Sequence, residues 1–318
     1  MRRCVTGLIT VFAIASITFL LFRLLPGDPT TAMLSPMLPP DERQQVRAEF
    51  GLDRPLSEQY LFYLRNLLRG ELGRSFARRR PVIEILGERM PNTLILAAVG
   101  FGLTYLLAIV LSVVMIANIN TWIDSTLTAI CLLLRSPPVF WIGSMLITFL
   151  AFRLRWFPIG NMRTAGYPET GWLGMYCNWD FAWHLALPVF AVVIYELSFP
   201  LLLLRNAMMR HLMSDHVRTA RAKGLRESTI LARHVLRNSL LPLIASASIS
   251  IGLSLGGFAV LEFVFSWPGL GLTIVEGISS RDYPVVQGAF LLMGVLVVLV
   301  SLVADLLYAA LDPRITYR

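Results

Sequence analysis

At 318 residues, with 56% hydrophobic and only 15% charged side chains, the chain is too apolar for an ordinary soluble domain. A formal charge of +8 would point a soluble protein toward nucleic acid, but here much of it gathers in one short segment between apolar runs, so no nucleic-acid partner is expected. The three cysteines (Cys4, Cys131, Cys177) and four histidines (His184, His211, His216, His234) have no metal-ligand spacing, so neither a disulfide framework nor a zinc site is indicated.

Residues 4–25 form an apolar run of about the 20 residues that a membrane span requires. Arg2 and Arg3 precede it and place the N-terminus inside. A cleaved signal peptide competes with this reading, but the run is long for such a segment and residues 23–29 offer no small-residue cleavage site. Residues 26–90 are polar, with Pro and Gly punctuating amphipathic pieces such as residues 60–68. Ten arginines between Arg43 and Arg89 face nine acids between Asp28 and Glu88. Loops beyond about 60 residues translocate largely regardless of charge, so this one is expected outside. It is too long to be a mere connector.

The second span begins at Arg89-Met-Pro-Asn-Thr93 and ends near residue 117. Residues 122–157 are then mostly apolar for 36 residues. At about 1.5 Å per residue a continuous helix would reach about 54 Å, well past a hydrocarbon core of about 30 Å. Arg135-Ser-Pro-Pro138 supplies the break, because Pro removes a helical donor and restricts its predecessor. Residues 122–134 therefore read as a tilted or interfacial approach and 138–154 as the main crossing. Arg135 is costly near a membrane centre; it either snorkels to a headgroup or lines a solute path. Residues 157–183, rich in Trp, Tyr, Gly and Pro, read as an external loop. A fourth span covers about 184–204, with Pro188 and Pro200 inside it. Glu196 sits near its middle, where either structural hydrogen bonding or a role in the path would account for it.

Between Arg205 and Arg237 stand eight basic residues against two acids, Asp215 and Glu227. A short loop so basic should stay in the cytoplasm. Ser214 or Asp215 can cap a short helix through Lys223, and Gly224 can end it in the left-handed conformation. A solvated positive-inside loop is the plainer reading. In the fifth span, 238–265, Ser239, Ser246, Ser250, Ser254 and Gly257 recur at spacings that put them on one helix face. Such a face either admits a neighbouring helix closely or gives a polar solute a smooth wall. Residues 274–280 read as a short interfacial helix, and 285–311 as the last span, with Asp305 near its inner end. The expected architecture is an all-α integral membrane protein of six transmembrane helices and one domain: span 1–25, outer loop 26–90, five-span core 91–311 with a cytoplasmic loop at 208–237, and cytoplasmic tail 312–318.

The order of residue types around Gly224 adds a resemblance. Arg218-Thr-Ala-x-x-x-Gly224, followed by Leu-Leu-Pro242, resembles the cytoplasmic coupling loop of ABC importer permeases. The wider form from Asp215 to Leu225 is similar to the branch that carries dipeptides, oligopeptides, nickel complexes and related solutes. The general family has Glu at the position of Arg218 and a shorter spacing to the Pro, and this branch usually has Tyr where His216 stands. Leu-Pro-Gly-Asp-Pro29, the stretch 51–60, Gly70-Glu-Leu-Gly-Arg-Ser-Phe76, Phe265-Ser-Trp-Pro-Gly-Leu-Gly271, Arg281-Asp-Tyr-Pro284 and Asp312-Pro313 extend the resemblance over nearly the whole chain.

The resemblance implies the type I ABC importer permease fold, with a long extracytoplasmic loop after helix 1. It implies an ATPase-coupling loop made of Asp215, Arg218, Thr219, Ala220, Arg221, Ala222, Lys223, Gly224 and Leu225. Besides the lipid bilayer, the implied partners are a second similar permease, two ATPase subunits and an extracytoplasmic solute-binding protein. From its length and its amphipathic pieces, the 26–90 loop is expected to pack over the outer mouth and help seat that binding protein. No cofactor is expected on this chain, with ATP and Mg held by the ATPase subunits. Arg135, Glu196, Ser246, Ser250 and Ser254 are the candidates for a translocation path. Peptides are the commonest cargo of the resembled branch; metal chelates, opines and glutathione-like compounds travel through similar chains.

Enzymatic readings fare poorly. The sequence has no Gly-x-x-x-x-Gly-Lys-Ser/Thr phosphate loop, no His-Glu-x-x-His and no plausible Ser/His/Asp set. An ion-driven secondary transporter would be expected to show repeated halves with intramembrane charges, and these halves do not match. A multi-pass protein of the plasma (inner) membrane, with both termini cytoplasmic, is the expectation.

Overall fold

The computed structural model describes residues 2–24, 54–167 and 171–311. The motif ending at Pro29, residues 51–53 of the next one, the tail from Asp312 and the Asp305 side chain lie outside what is described. Regular structure among the described residues is helical, apart from one isolated bridge between Arg74 and Pro81.

In chain order, α1 (Arg2–Leu24) is followed by the short α2 (Leu56–Leu68) and by α3 (Val82–Ala117). Next, α4 (Trp122–Arg135) meets α5 (Val139–Leu146), which continues as a π-helix over Ile147–Arg153. The short α6 (Gly171–Tyr176) leads to α7 (Trp179–Glu196) and α8 (Ser198–Leu212). Then come α9 (Asp215–Ala222), α10 (Glu227–Thr229) with a π-helix over Ile230–Leu236, α11 (Arg237–Val264), α12 (Leu270–Ser279) and α13 (Tyr283–Leu311). Four stretches, in α1, in α3, from α10 into α11 and in α13, are each long and apolar enough to cross a bilayer. The bent pairs α4–α5 and α7–α8 bring the total to six if each pair is one span.

Proline accounts for both bends, which measure 100° at α4–α5 and 47° at α7–α8. Ser136-Pro137-Pro138 separates the first pair, as the residue pattern predicts. In the second pair, Pro200 has no N–H to offer the Glu196 carbonyl, four residues back. The ladder is intact on either side, from Leu197 N to Val193 O at 2.9 Å and from Leu201 N to Leu197 O at 3.1 Å. The expected single helix over 184–204 is therefore two. Pro91, Pro188 and Pro242 stay inside continuous helices, as neighbouring structure in membrane proteins permits. A second correction concerns α3, which begins at Val82 rather than near Arg89. Its 36 residues extend to about 54 Å, so its charged first turns reach beyond the apolar part.

The chain forms two compact units, residues 1–93 with 268–298 and residues 94–267 with 299–318. In the first, α2 lies on α1: Phe19 packs against Tyr60 and Tyr63 with ring centroids 5.2 and 5.3 Å apart, and the Ser16 and Tyr60 hydroxyls are 2.6 Å apart. Gly288 lets α13 approach α3, since a Cβ there would stand 2.8 Å from Val82 Cγ1. Buried Asp282 accepts hydrogen bonds from the Ser75 hydroxyl, from Phe76 N at 2.9 Å and from Ala77 N at 3.2 Å. Two sequence motifs 207 residues apart are thereby joined. In the second unit, Arg205 of α8 grips Asp124 of α4 through two hydrogen bonds, Nε to Oδ1 at 2.7 Å and Nη2 to Oδ2 at 2.6 Å.

Candidate functional site

The second unit contains a cavity of about 340 Å³. Its walls come from α4, α5, α7, α8 and α11, and all five sequence candidates, Arg135, Glu196, Ser246, Ser250 and Ser254, line it together with Gly257. The remaining member of the small-residue stripe, Ser239, is absent; it is fully buried and donates to the Val235 carbonyl at 2.8 Å. The serine stripe does not include the rest of the lining. Val192 and Phe199 stand four residues before and three after Glu196, so helical spacing from Glu196 would have found them, whereas Tyr195, its immediate neighbour, follows no such spacing.

Glu196 ends α7, just before the Pro200 break. It is buried at 9% exposure, and its Oε1 accepts from Ser254 Oγ at 2.7 Å. Arg135 ends α4 and is exposed. Its Nη1 donates to the Tyr195 carbonyl at 3.1 Å, and its guanidinium lies 4.7 Å from the centre of the Tyr195 ring. The Arg–Tyr stack is a cation–π arrangement that holds the charge at the cavity without a carboxylate. Ser246 donates to the Leu243 carbonyl at 2.7 Å.

The basic segment is built differently from its wall-lining neighbours. Two residues of α9, Val217 and Ala220, are buried, and their three-residue spacing puts them on one face. They join a cluster with Ile116 of α3, Leu204 and Met208 of α8, Ile230 and Val235 of the π-helix, and Leu243 of α11. Ala220 therefore faces inward, whereas Arg218, Thr219, Arg221, Ala222, Lys223, Gly224 and Leu225 are exposed. Helix α9 is short but anchored to three long helices.

Its ends differ in how far the residue pattern foretold them. Ser214 holds the N-cap position, yet its hydroxyl turns back to the His211 carbonyl instead of capping, and no side chain caps α9. The Ser214 carbonyl accepts from Val217 N and Arg218 N, both at 3.1 Å, as the first turn closes. At the other end Lys223 is the C-cap and Gly224 takes φ +74°. Gly224 N donates to Arg221 O at 2.9 Å and Leu225 N to Ala220 O at 3.3 Å. This pair of bonds is the Schellman arrangement, which needs a left-handed residue where Gly224 stands. Arg221 is paired with Glu227, Nε to Oε1 at 2.6 Å, which raises the Arg221 pKa and ties the helix end to α10. Arg218 is only loosely matched with Asp215, at 3.8 Å.

Family models decide what this architecture belongs to. Residues 105–317 match the model described as binding-protein-dependent transport system inner membrane component, and residues 1–97 match its N-terminal companion. The chain belongs to this family of ABC importer permeases. The permease is 35% identical to a putative peptide permease protein of Brucella suis biovar 1, over 99% of this chain and 98% of the relative. It is 36% identical to the oligopeptide transport system permease protein AppB of Bacillus subtilis, over 99% and 98%. With the di/tripeptide transport system permease protein DppB of Pseudomonas aeruginosa it shares 35% identity over 97% and 96%. Among solved structures, a chain of the MetNI methionine ABC transporter in an inward-facing conformation superposes with a TM-score of 0.58. That match covers 72% of the permease and 97% of the other chain at 17% identity, and shows a shared fold. The permease is thus an all-α, multi-pass membrane protein with the type I importer fold, and a transport component.

Proposed function

We propose that this permease carries peptides or similar small solutes inward across the plasma (inner) membrane. It acts beside a second similar permease, two ATPase subunits and an extracytoplasmic solute-binding protein. The cargo reading is supported by relatives named for peptides that match nearly the whole chain. ATP and Mg belong to the ATPase subunits, since the chain has no phosphate loop and holds no cofactor in this reading. The cavity lined by Glu196, Arg135 and the serines lies on the solute path.

One observation carries the mechanism, the anchoring of α9. Nucleotide-driven movement of an ATPase must reach helices far from it, and that requires a rigid element gripped by the partner and fixed to the spans. Val217 and Ala220 fix α9 to α3, α8 and α11, while its exposed cationic side offers charged hydrogen bonds to a groove rich in acids or carbonyls. Arg218 and Lys223 are the cations best placed for this, because Arg221 is already engaged by Glu227.

Gly224→Trp tests the assignment. A Cβ at Gly224 would meet nothing within 4 Å, so the cost inside the permease is the left-handed backbone alone, about 1 kcal/mol. The variant should insert and accumulate normally, yet lose ATPase copurification or at least about tenfold of solute-stimulated hydrolysis, equivalent to about 1.4 kcal/mol of docking energy. Normal coupling in that variant would remove α9 from the interface.

Orientation follows from charge: α9 and both termini inside, the 26–90 loop outside. A topology reporter fused after residue 60 should behave as external and one after residue 225 as internal. Both reporters on one side of the membrane would sink this arrangement.

A further inference from the structure

Glu196 and Arg135 line the same cavity without neutralising one another. None of the ion pairs among the described residues includes either. Glu196 is nine-tenths buried; Ser254 occupies Oε1, and Oε2 has no hydrogen-bond partner among the described residues. The same residue closes α7, where helix carbonyls present the negative end of the dipole, and Pro200 withholds the donor its own carbonyl would normally meet. Carbonyls at a helix break, joined by a buried carboxylate, make a place that favours a cation. Arg135 has the opposite deficit: a carbonyl and an aromatic face hold it, and no carboxylate answers its charge. The same cavity is also lined by serine side chains and the apolar surfaces of Val192, Phe199 and Phe258.

We propose that this cavity selects peptides with both termini free, Glu196 receiving the α-ammonium and Arg135 the terminal carboxylate. A zwitterion answers both charges at once, whereas a solute blocked at either end leaves one of them unmatched. The volume of about 340 Å³ falls within the roughly 300–1,000 Å³ typical of small-ligand pockets. The apolar walls suit side chains of varied shape, and hydroxyls suit a peptide backbone. The inference rests on the reading that the cavity lies on the solute path.

The experiment uses the complete importer in proteoliposomes with saturating binding protein. It is offered a mixed tripeptide library with free termini, the same library N-acetylated, and the same library C-amidated. Uptake is read by mass spectrometry and compared between variants, so the binding protein's own preferences cancel. Glu196→Gln retains an acceptor for Ser254. It should lower uptake of the free library about tenfold, equivalent to about 1.4 kcal/mol, and change the N-acetylated library less than about twofold. Arg135→Gln should mirror this, with the amidated library the insensitive one. Because Arg135 is exposed, it carries the test independently should Glu196→Gln fail to copurify with the ATPase. Ser250→Trp, which fills the cavity, should stop all three libraries.

If Ser250→Trp blocks uptake while the charge variants lower every library equally, or none, the zwitterion assignment is overturned and the path reading stands. If Ser250→Trp leaves uptake unchanged, the path reading falls and the inference falls with it. A wild-type importer that takes up none of the free library overturns the assignment directly.

Discussion

Asp124→Ala should lower the melting temperature of the purified permease by about 6–12 °C, the shift that about 3 kcal/mol produces in a large domain. Asp124 is 4% exposed and Arg205 keeps only 17% side-chain exposure, and the two share a pair of hydrogen bonds in fork geometry. Removing one partner of a buried pair typically costs about 3–5 kcal/mol, because the other charge stays desolvated and unanswered. The lower end applies here, since Arg205 retains some access to water. The double variant Asp124→Leu with Arg205→Met should recover most of the loss, because an apolar pair of similar volume avoids the desolvation penalty. A single variant that melts with the wild type, or a double variant as unstable as the single, would show that the pair does not hold α4 to α8. The expected consequence for transport is indirect, since α4 and α8 both contribute to the cavity wall.

That pair also shows where sequence reading stops. Its partners lie 81 residues apart, and no local period encodes which acid meets which base. Arg205 reads as one of eight cations in a basic segment, yet the fold withdraws it from the displayed set. The Pro137-Pro138 break and the left-handed Gly224 were legible because both depend on the backbone preferences of single residues. The cavity serines were legible because helix period is a local property, and Ser239 was the exception because burial beside Val235 is not. The early start of α3 was missed for a different reason. Glu84, Glu88 and Arg89 mark where a membrane span should begin, but a helix need not begin where its apolar part does. The Ser214 hydroxyl belongs with these, since it donates to the His211 carbonyl where a cap would have it accept from a backbone N–H, and the sequence does not rank the two.

Asp282→Ala is the second large expected effect, and it acts on the other compact unit. The carboxylate holds a loop whose backbone is strained: Arg79 sits at φ +53°, left-handed for a residue with a side chain. That conformation persists because the turn is bonded across, from Ser75 N to Arg80 O at 2.9 Å and from Arg79 N to Ser75 O at 3.0 Å. Ser75 Oγ donates to Asp282 and itself accepts from Arg78 N at 2.9 Å. Alanine leaves the bonds from Ser75 and Phe76 unmade in a place largely closed to water, at about 1–3 kcal/mol each, while exposed Ala77 finds water instead. The total of about 2–6 kcal/mol exceeds what the Arg78–Glu276 pair can retain, since both of its side chains are about two-fifths exposed and such pairs contribute at most about 1 kcal/mol. The loop should then open locally, and trypsin should cut after Arg78 and Arg79 at concentrations that spare the wild type, Arg80 being protected by the proline that follows it. Asn at 282 should be intermediate, because its carbonyl still serves one amide while its NH₂ group faces donors. If the alanine variant is no more sensitive to trypsin at these arginines and melts with the wild type, Asp282 is not what holds the loop. If it is cut but still takes up solute normally, the loop is held by Asp282 and yet has no part in receiving the binding protein.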